Sequence, residues 1–287
     1  MTDRLEIKPI LGLISELPVD LQERLVLIGG QAIAFWGDYF LQGQLTQEQE
    51  AALTSSDLDI AAGSIEGVRL LAETWKGTPY FPKPGDIVPN MAVIHLNRPE
   101  FLKGSDFVID VMNTVYGQLD ADQMRISSTQ VEWDIDQDGL NIIRFNVLNP
   151  ATLLWSRIAN LEHRRMSRVS TERELIRTKV LCEIVREDLR NHAIEIMSDP
   201  SSQRKALDYA KYVYRDISQR KDTRFVLAKH PSLILPFQST IPVSPHWPDN
   251  FMRGVGVWQG RLLRQVDKII QRREHHAAIR KLKQLKS

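Results

Sequence analysis

Three aspartates and a pair of glycines are the residues of this 287-residue chain whose types and spacing point to chemistry. Asp57 and Asp59 stand two apart in Thr54-Ser55-Ser56-Asp57-Leu58-Asp59-Ile60. Residues i and i+2 of a strand share a face, so both carboxylates project together while Leu58 and Ile60 turn to the core. Carboxylates on one face repel each other unless a cation lies between them. A hard divalent ion with oxygen ligands, magnesium, is the natural occupant. Asp110 sits in a further apolar run, Phe107-Val108-Ile109-Asp110-Val111, where an unpaired buried charge would be costly. On a neighbouring strand it would complete a cluster with the other two. Upstream, the run Leu25 to Ile28 ends at Gly29-Gly30, and a helix-like segment follows from Gln31. Taken singly, each piece has a plain structural reading: a tight turn, two surface carboxylates, a strand. Their order along the chain carries the functional one.

In that order the residues resemble the nucleotidyltransferase superfamily of the DNA polymerase β type. Its signature is an apolar residue, Gly, then Gly or Ser, followed by Asp-x-Asp or Asp-x-Glu and a distant third Asp. Gly29-Gly30-Gln31-Ala32, Trp36 soon after, and Thr54-Ser55-Ser56-Asp57-Leu58-Asp59 are similar to the AbiEii-like subgroup. Several AbiEii-like proteins are toxins of toxin–antitoxin or phage-exclusion systems. The resemblance runs from Leu25 to Leu161. It implies an α+β fold, a mixed sheet flanked by helices and followed by a mainly α-helical C-terminal domain. It also implies magnesium-dependent transfer of a nucleoside monophosphate from an NTP to an acceptor. Asp57, Asp59 and Asp110 would be the catalytic residues and the metal ligands. Gly29 and Gly30 would admit the phosphates to backbone N–H groups, and Ser55 or Ser56 would donate a further hydrogen bond. Arg157, in the helix that follows Asn149-Pro150, would face the triphosphate; its alternative is an ion pair with the acidic half. The chain departs from most members in one respect. Residues 38–54 lengthen the connection from the glycines to Asp-x-Asp, and read as a longer helix-to-strand loop.

The elements that must position these residues follow from periodicity and punctuation. Apolar spacing predicts a helix over Leu5 to Leu17, ended by Pro18. Strands are expected at Leu25 to Ile28, Leu58 to Ala61, Ala92 to Leu96 and Phe107 to Met112. Gln31 to Phe40 reads as a helix, and Ser64 caps another over Ile65 to Trp75. Thr78 to Pro89, rich in Pro and Gly, reads as a loop. Thr129 to Ile135 and Leu140 to Val147 form a hairpin around Asp136-Gln137-Asp138-Gly139. After Pro150 the pattern is helical: Ala151 to Arg164, Glu172 to Asn191, Ser201 to Ser218 and Val257 to Leu285, with a Pro-rich wrap over His230 to Asp249. The expected boundary divides a catalytic domain, 1–150, from a helical, basic C-terminal domain, 151–287.

Charge is distributed along the same division. The formal net charge is +1, yet residues 1–150 hold 10 Lys/Arg against 22 Asp/Glu, giving −12, and residues 151–287 hold 27 against 14, giving +13. A positive half is a prior for a polyanionic partner, here RNA or the end of a tRNA as acceptor. Charge balance between the halves and an acidic antitoxin are the competing accounts. A small-molecule acceptor, as in antibiotic-modifying nucleotidyltransferases, and a binding module without turnover remain the alternative functions; the intact aspartates speak against the latter. One cysteine, Cys182, leaves no partner for an intramolecular disulfide and reads as a core residue. Gly-x-x-x-x-Gly-Lys, Cys-x-x-Cys and nucleophile-elbow patterns are absent, which argues against the common ATPase, zinc and hydrolase classes. No apolar run approaches the ~18 residues that span a bilayer. The first ten residues lack the apolar core of a signal peptide, so a cytoplasmic protein is expected.

Overall fold

The computed structural model describes residues 7–53, 57–83, 85–86, 88, 90–98, 107–115, 119–135, 141–163 and 166–284. The expected hairpin turn at 136–139 lies outside them. The chain divides into two compact units, Met1–Ser156 and Arg157–Ser287.

The first unit opens with α1 (Ile7–Ser15) and α2 (Val19–Gln22) on either side of Pro18. The short buried strand β1 (Val26–Leu27) leads directly into α3 (Gly29–Leu41). The long connection that follows is not simply a loop, because it contains α4 (Gln47–Leu53). That helix buries Ala52 and Leu53, and its other side is polar, so its apolar stripe is too narrow to announce itself in sequence. Next come β2 (Asp57–Ala61) and α5 (Ile65–Thr74), the latter capped as expected by Ser64, whose Oγ accepts from the Gly67 N–H at 3.0 Å. The Pro- and Gly-rich stretch after it begins with a strand, β3 (Thr78–Tyr80), which owes its conformation to pairing with β4 (Asn90–Leu96) rather than to its own composition. Beyond β5 (Phe107–Met112), β6 (Thr114–Val115) and β7 (Leu119–Asp120) pair with each other. Asp120 and Gln123 form a capping box that starts α6 (Ala121–Ile126). β8 (Ser128–Asp134) and β9 (Ile142–Leu148) are the expected hairpin.

Seven of these strands form one mixed sheet in the order β3-β4-β5-β2-β1-β9-β8. β2 runs parallel to β5 and β1 parallel to β9; the other neighbours are antiparallel. One face is apolar and fully covered, with Leu58, Ile60, Ala92, Ile94, Phe107, Ile109 and Val111 each at most 1% exposed. The alternate residues Asp57 and Asp59 of β2 and Val108, Asp110 and Met112 of β5 are half-buried. Trp36 ties α3 to the sheet by donating its indole N–H to the Leu148 carbonyl at 2.9 Å.

Pro150 opens α7 (Pro150–His163), with Asn149 Oδ1 accepting from the Thr152 N–H at 2.8 Å. The second unit then builds on α8 (Arg168–Ser198), α9 (Gln203–Lys211), α10 (Lys221–Lys229), α11 (Ile234–Gln238) and α12 (Asp249–Gln284). A π-helical turn, Tyr212–Ile217, follows α9. The expected Pro-rich wrap contains α11, and the last helix starts eight residues earlier than its apolar pattern, at Asp249. Cys182 is buried in α8, and burial pushes its thiol pKa up, in keeping with a core residue. The observed architecture is therefore the expected α+β class: a mixed sheet flanked by helices, then a mainly helical C-terminal region. Among the described residues, no helix is long and apolar enough to cross a membrane.

Candidate metal centre

The parallel register of β2 and β5 sets Asp59 directly beside Asp110. Asp57 lies two residues earlier on the same face. The result is a cluster in which one carboxylate oxygen from each of Asp57, Asp59 and Asp110 lies within 4.8 Å of the others, all three side chains being half-buried. Such a donor set suits a hard cation: each of the three donors is a carboxylate oxygen, and among the described residues the cluster includes no sulfur or imidazole. Three negative charges gathered this closely would otherwise repel strongly.

The glycines meet this cluster from the β1 side. The Ile28 N–H donates to the Asp59 carbonyl at 3.0 Å, extending the β1–β2 pairing by one residue. The chain then turns at once into α3. Gly29 has φ +65°, and a Cβ there would lie 1.8 Å from Asp59 Oδ2. Both the left-handed backbone and the space require glycine. The Gly30 N–H donates to Asp59 Oδ2 at 3.4 Å. Ile28 gives α3 no side-chain cap, so the helix N-terminus, with its partial positive charge, is presented to the carboxylates. The glycines are thus the first turn of the helix itself, one step later than a turn ahead of it.

One partner of the cluster has no signal in the sequence. Asn90 donates its side-chain amide to Asp110 Oδ1 at 2.7 Å. It can do so because β4 carries a bulge: Asn90 pairs with Met112 and Ala92 with Val111, leaving Met91 extra. In a regular strand Asn90 would share the core-facing side with Ala92. The bulge moves it to the carboxylate side.

Two of the other expected site residues, Ser55 and Ser56, lie outside the described residues. Arg157 is 11% exposed and forms an ion pair at 3.3 Å with Glu174 of α8, itself 6% exposed; Arg177 stands 4.0 Å from the same carboxylate. Both partners belong to the second unit, so the pair recorded here is not with the acidic half.

No protein-family model matches the chain, and no curated protein matches it. Among solved structures, it is similar to an antigenic nucleotidyltransferase-like protein from Paracoccidioides brasiliensis, at 12% identity and a TM-score of 0.46, over 84% of this chain and 96% of that one. The chemistry rests instead on the carboxylates and their surroundings. They could hold a metal ion, and the N-terminus of α3 beside them is suited to phosphate.

Proposed function

We propose that the protein is a magnesium-dependent nucleotidyltransferase that moves a nucleoside monophosphate from an NTP to the hydroxyl of an RNA acceptor, such as a tRNA end. The observation that carries this reading is the convergence of Asp57, Asp59 and Asp110 at the N-terminus of α3. Magnesium held by these three carboxylates would neutralise the triphosphate and favour ionisation of the attacking hydroxyl.

The chain's own residues have the following roles. Backbone N–H groups at Gly29 and Gly30 receive the β- and γ-phosphates, and the dipole of α3 adds to the attraction. Ser55 and Ser56 offer further hydroxyl donors. Asp110 accepts the proton of the acceptor hydroxyl as its oxygen bonds to the α-phosphorus. The bond from that phosphorus to the bridging oxygen breaks, and pyrophosphate leaves with the electron pair. Asn90 holds the Asp110 carboxylate in place. The resemblance would also give Arg157 to the triphosphate; in the structure its guanidinium is paired with Glu174. The +13 half supplies the attraction for RNA. A toxin role, held in check by an acidic antitoxin, accords with the AbiEii-like resemblance.

Incubation with each radiolabelled NTP, magnesium and total RNA, followed by gel separation, tests the reading. Label should enter RNA with the wild-type chain and not with Asp57→Asn or Asp110→Asn. Label in a small-molecule acceptor would favour the antibiotic-type alternative. No transfer with any NTP would favour a binding module.

A further inference from the structure

A cavity of about 310 Å³ lies beside the carboxylates, walled by Tyr80, Phe81, Pro82 and Val88. Asp86, Asn90, Ala92 and Val93 complete the wall. Its volume is at the lower end of the range for small-ligand sites, enough for a ring system and too small for an extended chain. Three of the walling side chains are large, apolar and exposed: Tyr80 at 57%, Phe81 at 38% and Val88 at 52%. Apolar groups gathered at a concave surface next to polar chemistry mark a ligand site more often than scattered surface residues do.

The strand register places this cavity. Tyr80 pairs with Val93, Val93 with Asp110, and Asp110 with Asp59, so the four residues form one row across β3, β4, β5 and β2. Directly paired residues point to the same face. Through Tyr80, Asn90 and Val93 the cavity therefore reaches the carboxylate face, and β3 runs about 10 Å from β5 at ordinary strand spacing. Asn90 physically links the two, since it lines the cavity and donates to Asp110. The glycine turn lies on the opposite flank, because β1 adjoins β2 on the side away from β5. Nucleotidyl transfer is an in-line displacement, with the nucleophile and the leaving pyrophosphate on opposite sides of the phosphorus. If the phosphates occupy the α3 flank, the nucleophile enters from the β4 flank, where the cavity is.

We propose that this cavity receives the terminal nucleobase of the RNA acceptor, stacked against Tyr80 and Phe81, and so delivers the terminal ribose hydroxyl to Asp110. The inference rests on the nucleotidyltransferase reading above. The wall chemistry suits a base: two aromatic rings and a proline for its faces, and the Asn90 amide and Asp86 carboxylate for its edge. The rings are also braced. His95 packs edge-on to Tyr80, with centroids 4.9 Å apart, and the Arg69 guanidinium sits 5.9 Å from the Phe81 centroid.

The test uses a fluorescent RNA decamer ending in adenosine and the same decamer with an abasic last residue. Binding is read by anisotropy with calcium in place of magnesium, and transfer by labelled-NTP incorporation. Tyr80 and Phe81 are exposed, so Tyr80→Ala and Phe81→Ala should fold, which circular dichroism checks. The expected result is that each substitution weakens binding of the adenosine-ended decamer and raises its KM by about tenfold or more. The abasic decamer should bind wild type and variants alike, and the KM for NTP should not move. Equal affinity of wild type and variants for the adenosine-ended decamer would overturn the proposal and leave the transferase reading standing. A raised KM for NTP instead would also overturn it, by giving the cavity to the incoming nucleotide. Base-dependent binding lost in the variants, with no transfer by wild type from any NTP, would support the cavity and remove the transferase reading.

Discussion

Gly29 and Asn90 bear directly on two of the three carboxylates, Asp59 and Asp110. At Gly29 the backbone is left-handed and Asp59 occupies the place of a Cβ. Gly29→Ala should cost about 1–2 kcal/mol in backbone conformation alone and push Asp59 from the cluster. Calorimetry should find Tm lower by about 4 °C, and a manganese titration should find weaker binding. An unchanged Tm with unchanged manganese affinity would refute the steric account. Asn90 holds Asp110 through its side-chain amide, the place of an outer partner if Asp110 binds the proposed cation. Asn90→Ala should weaken manganese binding by about 10- to 100-fold with the fold intact. If affinity holds in the variant, Asp110 is positioned by other contacts.

At the scale of elements, Arg157 of α7 and Glu174 and Arg177 of α8 form a buried charge network. Arg157, Glu174 and Arg177 are each at most 11% exposed at the side chain, so solvent screens them little. Glu174→Gln removes the carboxylate charge and leaves Arg157 buried without its counter-ion. Such a change costs about 3 kcal/mol or more. Urea denaturation should show the midpoint falling with the m-value unchanged, and the loss should shrink in the double variant with Arg157→Met. Additive losses in that cycle would mean that the two residues do not act as a pair.

For the whole molecule, the controlling quantity is the division of charge. The second unit ends in α12, of which every side chain described from Gln271 to Gln284 is exposed, Arg272, Arg273, Arg280 and Lys281 among them. This stretch extends about 20 Å as a basic helix in solvent. If it contacts RNA, each phosphate neutralised adds to the salt dependence, roughly 0.7 per contact in a log–log plot for single strands. Reversal to glutamate at Arg272, Arg273 and Lys281 should lower that slope by about 2 and weaken RNA binding, with NTP binding unchanged. A flat salt profile in the wild type would instead favour charge balance between the halves or the docking of an acidic antitoxin.

The carboxylate cluster was legible because its information is local. Alternation in Asp57-Leu58-Asp59-Ile60 and Ile109-Asp110-Val111 places each aspartate opposite a core residue, and glycines at a strand-to-helix junction have few other uses. Hairpin, caps and helices were legible for the same reason: periodicity and punctuation act within a few residues of chain. β3, by contrast, is a strand only because β4 offers it an edge, and α4 is helical with a stripe too narrow to read. Asn90 reaches Asp110 through a bulge that shifts parity by one residue, and parity is a property of two paired strands. The row from Tyr80 to Asp59 exists only once four strands are in register. Arg157 has its ion-pair partner on α8, a choice made by helix packing. Sequence by itself determined which residues could do chemistry and which side of an element each would take. Tertiary structure decided which of them meet, because register and packing are settled by burial of the whole apolar face of the sheet and not by any one strand.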